Sequence, residues 1–144
     1  MPLEGTYEPS PWSPVADQVA LYEATDGKEG DTLEGKPVVI LTTRGRHSGG
    51  LRKSPLMRVE HDGRYVVVAS VGGAPHHPVW YLNLVADPLV TLQDHAGVFD
   101  LRARTATPEE RKVWWPRATA AWPAYDEYQK NTEREIPVVI LEPV

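Results

Sequence analysis

Apolar residues along this chain fall into short runs separated by glycine, proline and charged clusters, a spacing that predicts hairpin strands more than long helices. PVVILTT (37–43) is a β-branched run that turns through RGRHSGG into LRKSPLMRVE (51–60), and Asp62-Gly63 then signals a hairpin into RYVVVAS (64–70). These three segments read as an antiparallel meander. Gly72, Gly73 and Pro75 end it, and PVWYLNLVAD (78–87) is apolar nearly all round, which predicts a short buried helix stopped by Pro88. PLVTLQD (88–94) and the alternating VFDLRART (98–105) predict a second hairpin across His95-Ala96-Gly97. Thr107-Pro108-Glu109-Glu110 starts a helix, with a threonine cap, proline at the first position and glutamate three residues after the cap. That helix runs past Trp114 and Trp115 towards Trp122, with breaks expected at Pro116 and Pro123, and IPVVILE (136–142) is a closing strand. Upstream, Val15, Val19, Ala20 and Tyr22 approximate a helical stripe, with Ser13 as N-cap and Pro14 at the first helical position.

About six short strands, mostly joined as hairpins and interrupted by two or three helices, predict an α+β fold built on a closed or half-closed antiparallel barrel. Strands 37 to 70 follow one another without room for crossover helices, which disfavours a doubly wound parallel sheet. The Gly/Asp/Glu segment 26–35 is the only candidate linker. Residues 1–14 hold four prolines, two glutamates and Trp12, too little apolar surface to order themselves, and are expected to be a flexible tail ahead of a single domain, 15–144.

With 144 residues, 41% of them hydrophobic, the chain can bury one ordinary core. No apolar run approaches the ~20 residues of a membrane span. No basic segment followed by an apolar run marks a secretory signal, and zero cysteines exclude disulfides and thiolate chemistry, so a cytoplasmic protein is expected. The net charge of −5 conceals a segregation: residues 1–34 carry eight acids and one base, whereas Arg44, Arg46, Arg52, Lys53 and Arg58 fall in one stretch without an acid, together with His47. An acidic protein with one cationic patch does not fit nucleic acid and fits a small anionic ligand.

Gly45-Arg46-His47-Ser48-Gly49-Gly50 resembles a phosphate-binding loop in its glycines, but Leu51 and Arg52 stand where lysine and serine or threonine are required, and a strand follows instead of a helix. Its arginines and exposed backbone N–H groups still suit phosphate or carboxylate oxygens, against the plainer reading of a solvated hairpin. Ala69-Ser70-Val71-Gly72-Gly73-Ala74 is either a tight turn or a place where a flat ring lies against backbone. Asn83, on an apolar helix, must find a backbone or ligand partner. Tyr125 and Tyr128 lie three apart on one helical face, so both hydroxyls can line one pocket and donate to a developing oxyanion. The five histidines offer only the adjacent His76-His77 pair, so no metal site is expected.

In order and spacing, TTRGRHSGGLRKSPL, DGRYVVVASVGGAPHHPVWYLNL, ATPEER, WPAYDEY and IPVVILEP resemble the deazaflavin-dependent nitroreductase family over roughly residues 15–144. That resemblance implies an FMN-binding-like split β-barrel and an oxidoreductase using coenzyme F420. It implies that Arg46, His47, Ser48, Arg52 and Lys53 hold the cofactor's phosphate and polyglutamate tail, and that Ser54, Pro55, Leu56 and Met57 also bind the cofactor. It places Val68, Ala69, Ser70 and Val71, with Val79, Trp80, Tyr81, Leu82 and Asn83, along the deazaflavin and its ribityl chain. Trp122, Tyr125 and Tyr128 match the substrate pocket, with Tyr125, Tyr128 and Ser70 beside the reaction. His47 and Val71 depart from family lysines, and Met57 and Trp122 from tyrosines.

The expected reaction is hydride transfer from reduced F420 to an electron-poor quinone, enone or nitro compound; the alternatives are a non-catalytic F420-storage protein and an FMN-binding split-barrel protein. A monomer or homodimer is expected. The tail, with Tyr7 and Trp12, is read as disordered, with a lid over the acceptor and a peripheral contact on a quinone-bearing membrane as alternatives.

Overall fold

The computed structural model describes residues 3–144; Met1 and Pro2 of the expected tail lie outside the described residues. It contains eight strands and four helices: α1 (Ser13–Ala24), β1 (Thr32–Leu33), β2 (Lys36–Arg44), β3 (Leu51–Met57), β4 (Val59–His61), β5 (Arg64–Val68), α2 (Val79–Ala86), β6 (Leu89–Asp94), β7 (Gly97–Thr105), α3 (Pro108–Ala121), α4 (Ala124–Lys130) and β8 (Val138–Pro143). A single 3-10 turn, Val71–Gly73, lies between β5 and α2. The ladders run β1-β2-β6-β7-β8-β5-β4, with β3 also paired to β2; these strand pairings are all antiparallel, and a single parallel bridge joins Tyr7 to Leu51. This curled sheet is the expected split barrel.

The continuous apolar runs follow from burial on both sheet faces. Side chains alternate across a strand. Val39 and Leu41 of β2, Val67 of β5 and Val139 and Leu141 of β8 enter the barrel core with Leu84 of α2. Their neighbours point the other way: Val38 and Ile40 pack under α1 with Val19 and Tyr22, while Val66, Val68, Val138 and Ile140 pack under α3 and α4 with Trp114, Ala118 and Tyr125. Each such aliphatic side chain contributes about 1.5–3 kcal/mol by leaving water, so all three helices are held to the barrel by alternate residues of the same strands.

Several sequence expectations change. The meander forms with a break in its middle strand: the 51–60 run pairs with β2 as far as Met57 and, after Arg58, with β5 (Val59↔Val66), whose other edge pairs with β8 (Val67↔Val139). Arg58, between β3 and β4, turns its side chain to Asp94 (Nε to Oδ2, 3.0 Å) while its N–H donates to Pro37 O (3.0 Å). Pro116 does not break α3, whose inner face is pinned a turn apart by buried Trp114 and Ala118, whereas Pro123 does separate α3 from α4. The N-cap of α1 is Trp12, not Ser13. Helix α2 is not buried all round: Val79 is 65% exposed and Val85 61%, because only one face meets β2. Segment 26–35 is not a loose linker, since Gln18 Nε2 donates to the Gly30 and Thr32 carbonyls and β1 pairs with β2. The Thr107–Glu110 capping box and the Asp62-Gly63 turn, both residues at positive φ, form as expected.

Candidate active site

Two adjoining cavities open between the barrel, α1, α2 and α4. The first, about 680 Å³, is lined by Ser54, Pro55, Leu56 and Met57 of β3, by Val68, Ser70 and Val71 after β5, and by Trp80, Trp122, Tyr125 and Tyr128. The second, about 450 Å³, is lined by Gly45, Arg46, His47, Ser48, Arg52, Lys53 and Ser54, with Val79, Trp80 and Asn83 of α2. Ser54 and Trp80 belong to both, so a ligand can span them. Of the residues implied by resemblance, Ala69, Tyr81 and Leu82 line neither cavity. Ala69 is fully buried, and Tyr81 turns to hydrogen-bond Thr105 Oγ1 at 2.8 Å.

The β2–β3 hairpin is shaped by its own backbone: Gly45 N–H donates to Gly50 O (2.7 Å) and Gly49 N–H to Gly45 O (2.9 Å). Buried Asn83 is satisfied internally. Its Oδ1 accepts from Arg46 N–H (3.2 Å), fixing the hairpin to α2. The five cations do not converge. Arg44 binds the Gly49 and Glu4 carbonyls and pairs with Asp87 (3.4 Å), and Arg58 is held by Asp94. Lys53 pairs with Glu23 and lies 4.9 Å from the Tyr7 ring centre. Arg52 lies 3.5 Å from Glu8, and among the described residues the Arg46 side chain makes no ion pair.

Residues ahead of α1 run beside β3: Glu8 N–H donates to Leu51 O and Leu51 N–H to Thr6 O, both at 2.8 Å. This brings the Glu8 carboxylate onto Ser48 Oγ and Arg52, flush against Gly50, where a Cβ would come within 2.2 Å of Glu8 Oε1. The chain's own carboxylate thus occupies the cationic cavity. Neither this contact nor the Trp12, Pro14, Val15 and Gln18 lining of the first cavity was apparent in the sequence; the one signal was Tyr7 and Trp12 among prolines.

In the first cavity, Tyr125 is 5% exposed, and burial followed by the neighbouring Tyr128 pushes its hydroxyl pKa well up. The hydroxyl has no hydrogen-bond partner among the described residues, yet no enclosed polar side-chain atom among them is left unpaired, so it must open onto the cavity. The Tyr128 ring lies 6.2 Å away at 73°, and its hydroxyl accepts from Trp122 Nε1 (3.3 Å), keeping its own proton to donate. Val71 lines the same cavity at φ +46°, a left-handed conformation that costs a β-branched residue about 1–3 kcal/mol. What holds this turn was not legible along the chain. Arg134 donates from Nε to Ala74 O (2.8 Å), from Nη1 to Ala69 O (3.1 Å) and from Nη2 to Ser70 O (2.6 Å).

The family model described as F420H(2)-dependent quinone reductase matches residues 15–143. The chain belongs to this family. An F420H(2)-dependent quinone reductase of Mycobacterium tuberculosis is 32% identical over 126 residues, 85% of each chain. The structure of an F420-H2 dependent reductase, FDR-A, is 51% identical with a TM-score of 0.70, covering 74% of this chain and 94% of that one. A domain-swapped dimer is 45% identical with a TM-score of 0.73, covering 92% of this chain and all of the other. The family is therefore that of the F420H(2)-dependent quinone reductases, related to the nitroreductases that the sequence resembles. Among the described residues no group of histidine, aspartate or glutamate could hold a metal ion, and no helix is long and apolar enough to cross a membrane.

Proposed function

We propose that this chain is an F420-dependent reductase that passes hydride from reduced deazaflavin to a quinone, its domain formed by residues 15–144. What supports the reading, beside family membership, is the junction of a cationic cavity with an aromatic one through Ser54 and Trp80. The residues fit the cofactor: Glu8 stands where an anionic oxygen meets Ser48 and Arg52, so the hairpin already binds a carboxylate. Arg46, His47, Ser48, Arg52 and Lys53 would hold the phosphate and glutamate tail, while Val68, Ser70, Val71 and Trp80 would flank the ring. Bound and reduced, F420 supplies the hydride.

The protein's part is to bind, orient and exclude water. Tyr125, its hydroxyl raised by burial, stays protonated at neutral pH and is free to donate to the acceptor oxygen that becomes anionic; Tyr128 is the second donor. The 680 Å³ cavity suits a naphthoquinone-sized ring, and enones and nitro compounds share the same electron demand. A homodimer is the assembly favoured by the domain-swapped dimer among its structural relatives, checked by light scattering. Titrating the protein with F420, FMN and FAD by fluorescence tests the cofactor assignment: F420 alone is expected to bind in the micromolar range or better, and preferential FMN binding would overturn it.

A further inference from the structure

Two parts of the aromatic cavity's lining come from distant parts of the chain. One is the 69–74 turn, which presents Ser70 and Val71; the other is α4 with Tyr125 and Tyr128. Val71 sits at positive φ, so the turn does not hold this shape by local preference.

Arg134, in the loop between α4 and β8, lines neither cavity. Its guanidinium nevertheless reaches three carbonyls of the turn, those of Ala69, Ser70 and Ala74, and Nη1 lies 3.2 Å from His77 Nδ1. Its own backbone is tied to the other part of the lining: Gln129 Nε2 of α4 donates to Arg134 O (2.9 Å), and Gln129 Oε1 accepts from Ile136 N–H (2.9 Å). The turn also closes directly on α4, since a Cβ on Gly73, at φ +84°, would come within 2.7 Å of Tyr128 O. Three separate nitrogens of one planar fork each reach a different carbonyl; a lysine ammonium has three donors too, but all on one nitrogen, a compact point charge without the fork's fixed spread.

We propose that Arg134 is a positioning residue that joins the 69–74 turn to α4, so that the ring-facing backbone and the two tyrosines keep one spacing. The proposal rests on the cofactor reading above, in that the spacing it sets is that between the deazaflavin and the acceptor. It makes no contact with either and acts only through Ser70, Val71 and α4.

The test uses Arg134→Lys in the full chain with two readouts. In the cofactor-free protein, amide exchange at Gly73 and Ala74, whose N–H groups bond Ser70 O and Val71 O, is expected to speed at least tenfold while strands β2 and β8 keep their protection. With F420, affinity is expected to stay within threefold, because the tail is held elsewhere, while single-turnover hydride transfer per bound cofactor falls tenfold or more. A merely structural role would lower the folded fraction without moving that per-site rate. Guanidinium ion added to Arg134→Ala is expected to restore part of the rate. Should Arg134→Lys fail to fold, Arg134→Lys/Val71→Gly, with the backbone strain relieved, is compared by exchange with Val71→Gly alone. Unchanged exchange at 73–74, or an unchanged per-site rate, in a folded variant would overturn the proposal. The exchange readout needs no cofactor, so a wild-type protein that fails to bind F420 overturns the cofactor reading, and unchanged exchange overturns the clamp.

Discussion

The Glu8 carboxylate lies 3.5 Å from Arg52 Nε inside the cationic cavity, so an acid from the N-terminal segment competes for the guanidinium that faces the proposed anionic tail. Glu8→Gln removes the competing charge and keeps the shape. Partly exposed pairs are worth about 0.2–1 kcal/mol, so F420 affinity is expected to rise up to about fivefold by fluorescence titration. Weaker binding would show that Glu8 helps to hold the ligand.

Arg46 and Arg52 carry the opposite expectation. Charge-assisted contacts contribute about 1.5–3 kcal/mol when desolvated, so Arg46→Ala/Arg52→Ala is expected to weaken F420 binding by tenfold or more and to flatten its salt dependence. Arg44→Ala is the control, because that side chain is spent on Gly49, Glu4 and Asp87. Its effect is expected in stability, read by thermal melting, and an equal loss of affinity would contradict the division.

Tyr125→Phe keeps the ring against Trp115 and Tyr128 and removes the hydroxyl that opens onto the cavity. Fold and F420 affinity are expected to survive while hydride transfer falls roughly ten- to hundredfold, the low end of general acid contributions, with Tyr128 as partial substitute. An unchanged rate would reduce Tyr125 to shape.

Two histidines are expected to titrate in opposite directions. Burial, reinforced by Arg134 and His76, lowers His77 below its ordinary 6.5. Its contribution to stability is therefore present above that value and lost as pH falls through the folded pKa. The hydrogen bond to Asp31 raises His95, against burial and with help from Asp94. Its contribution is present below 6.5 and lost as pH rises through the folded pKa. Imidazole NMR is expected to give a His77 midpoint below 6.5 and a His95 midpoint above it. A reversed order would contradict both environments.

The split barrel was legible because β2, β5 and β8 are written as unbroken β-branched runs and the hairpin turns as Asp62-Gly63 and His95-Ala96. The second neighbour of β5 was not: beyond its hairpin with β4, Val67 pairs with Val139, far along the chain, and apolar runs buried on both faces do not name that partner. The hairpin Arg46–Lys53 and Tyr125 announced themselves by charge density and helical spacing. Arg134 sits in a polar stretch, NTERE, that reads as solvated loop, and Glu8 in a proline-rich lead; their roles depend on what they meet in space.

The most direct test is anaerobic stopped-flow mixing of the F420H2-loaded protein with a menadione-like naphthoquinone, following the return of oxidised deazaflavin absorbance. A saturable first-order phase is expected, one hydride per site, far faster than the same mixture without protein and slowed in Tyr125→Phe. Oxidation no faster than the protein-free mixture, with F420 bound, would contradict the proposed function.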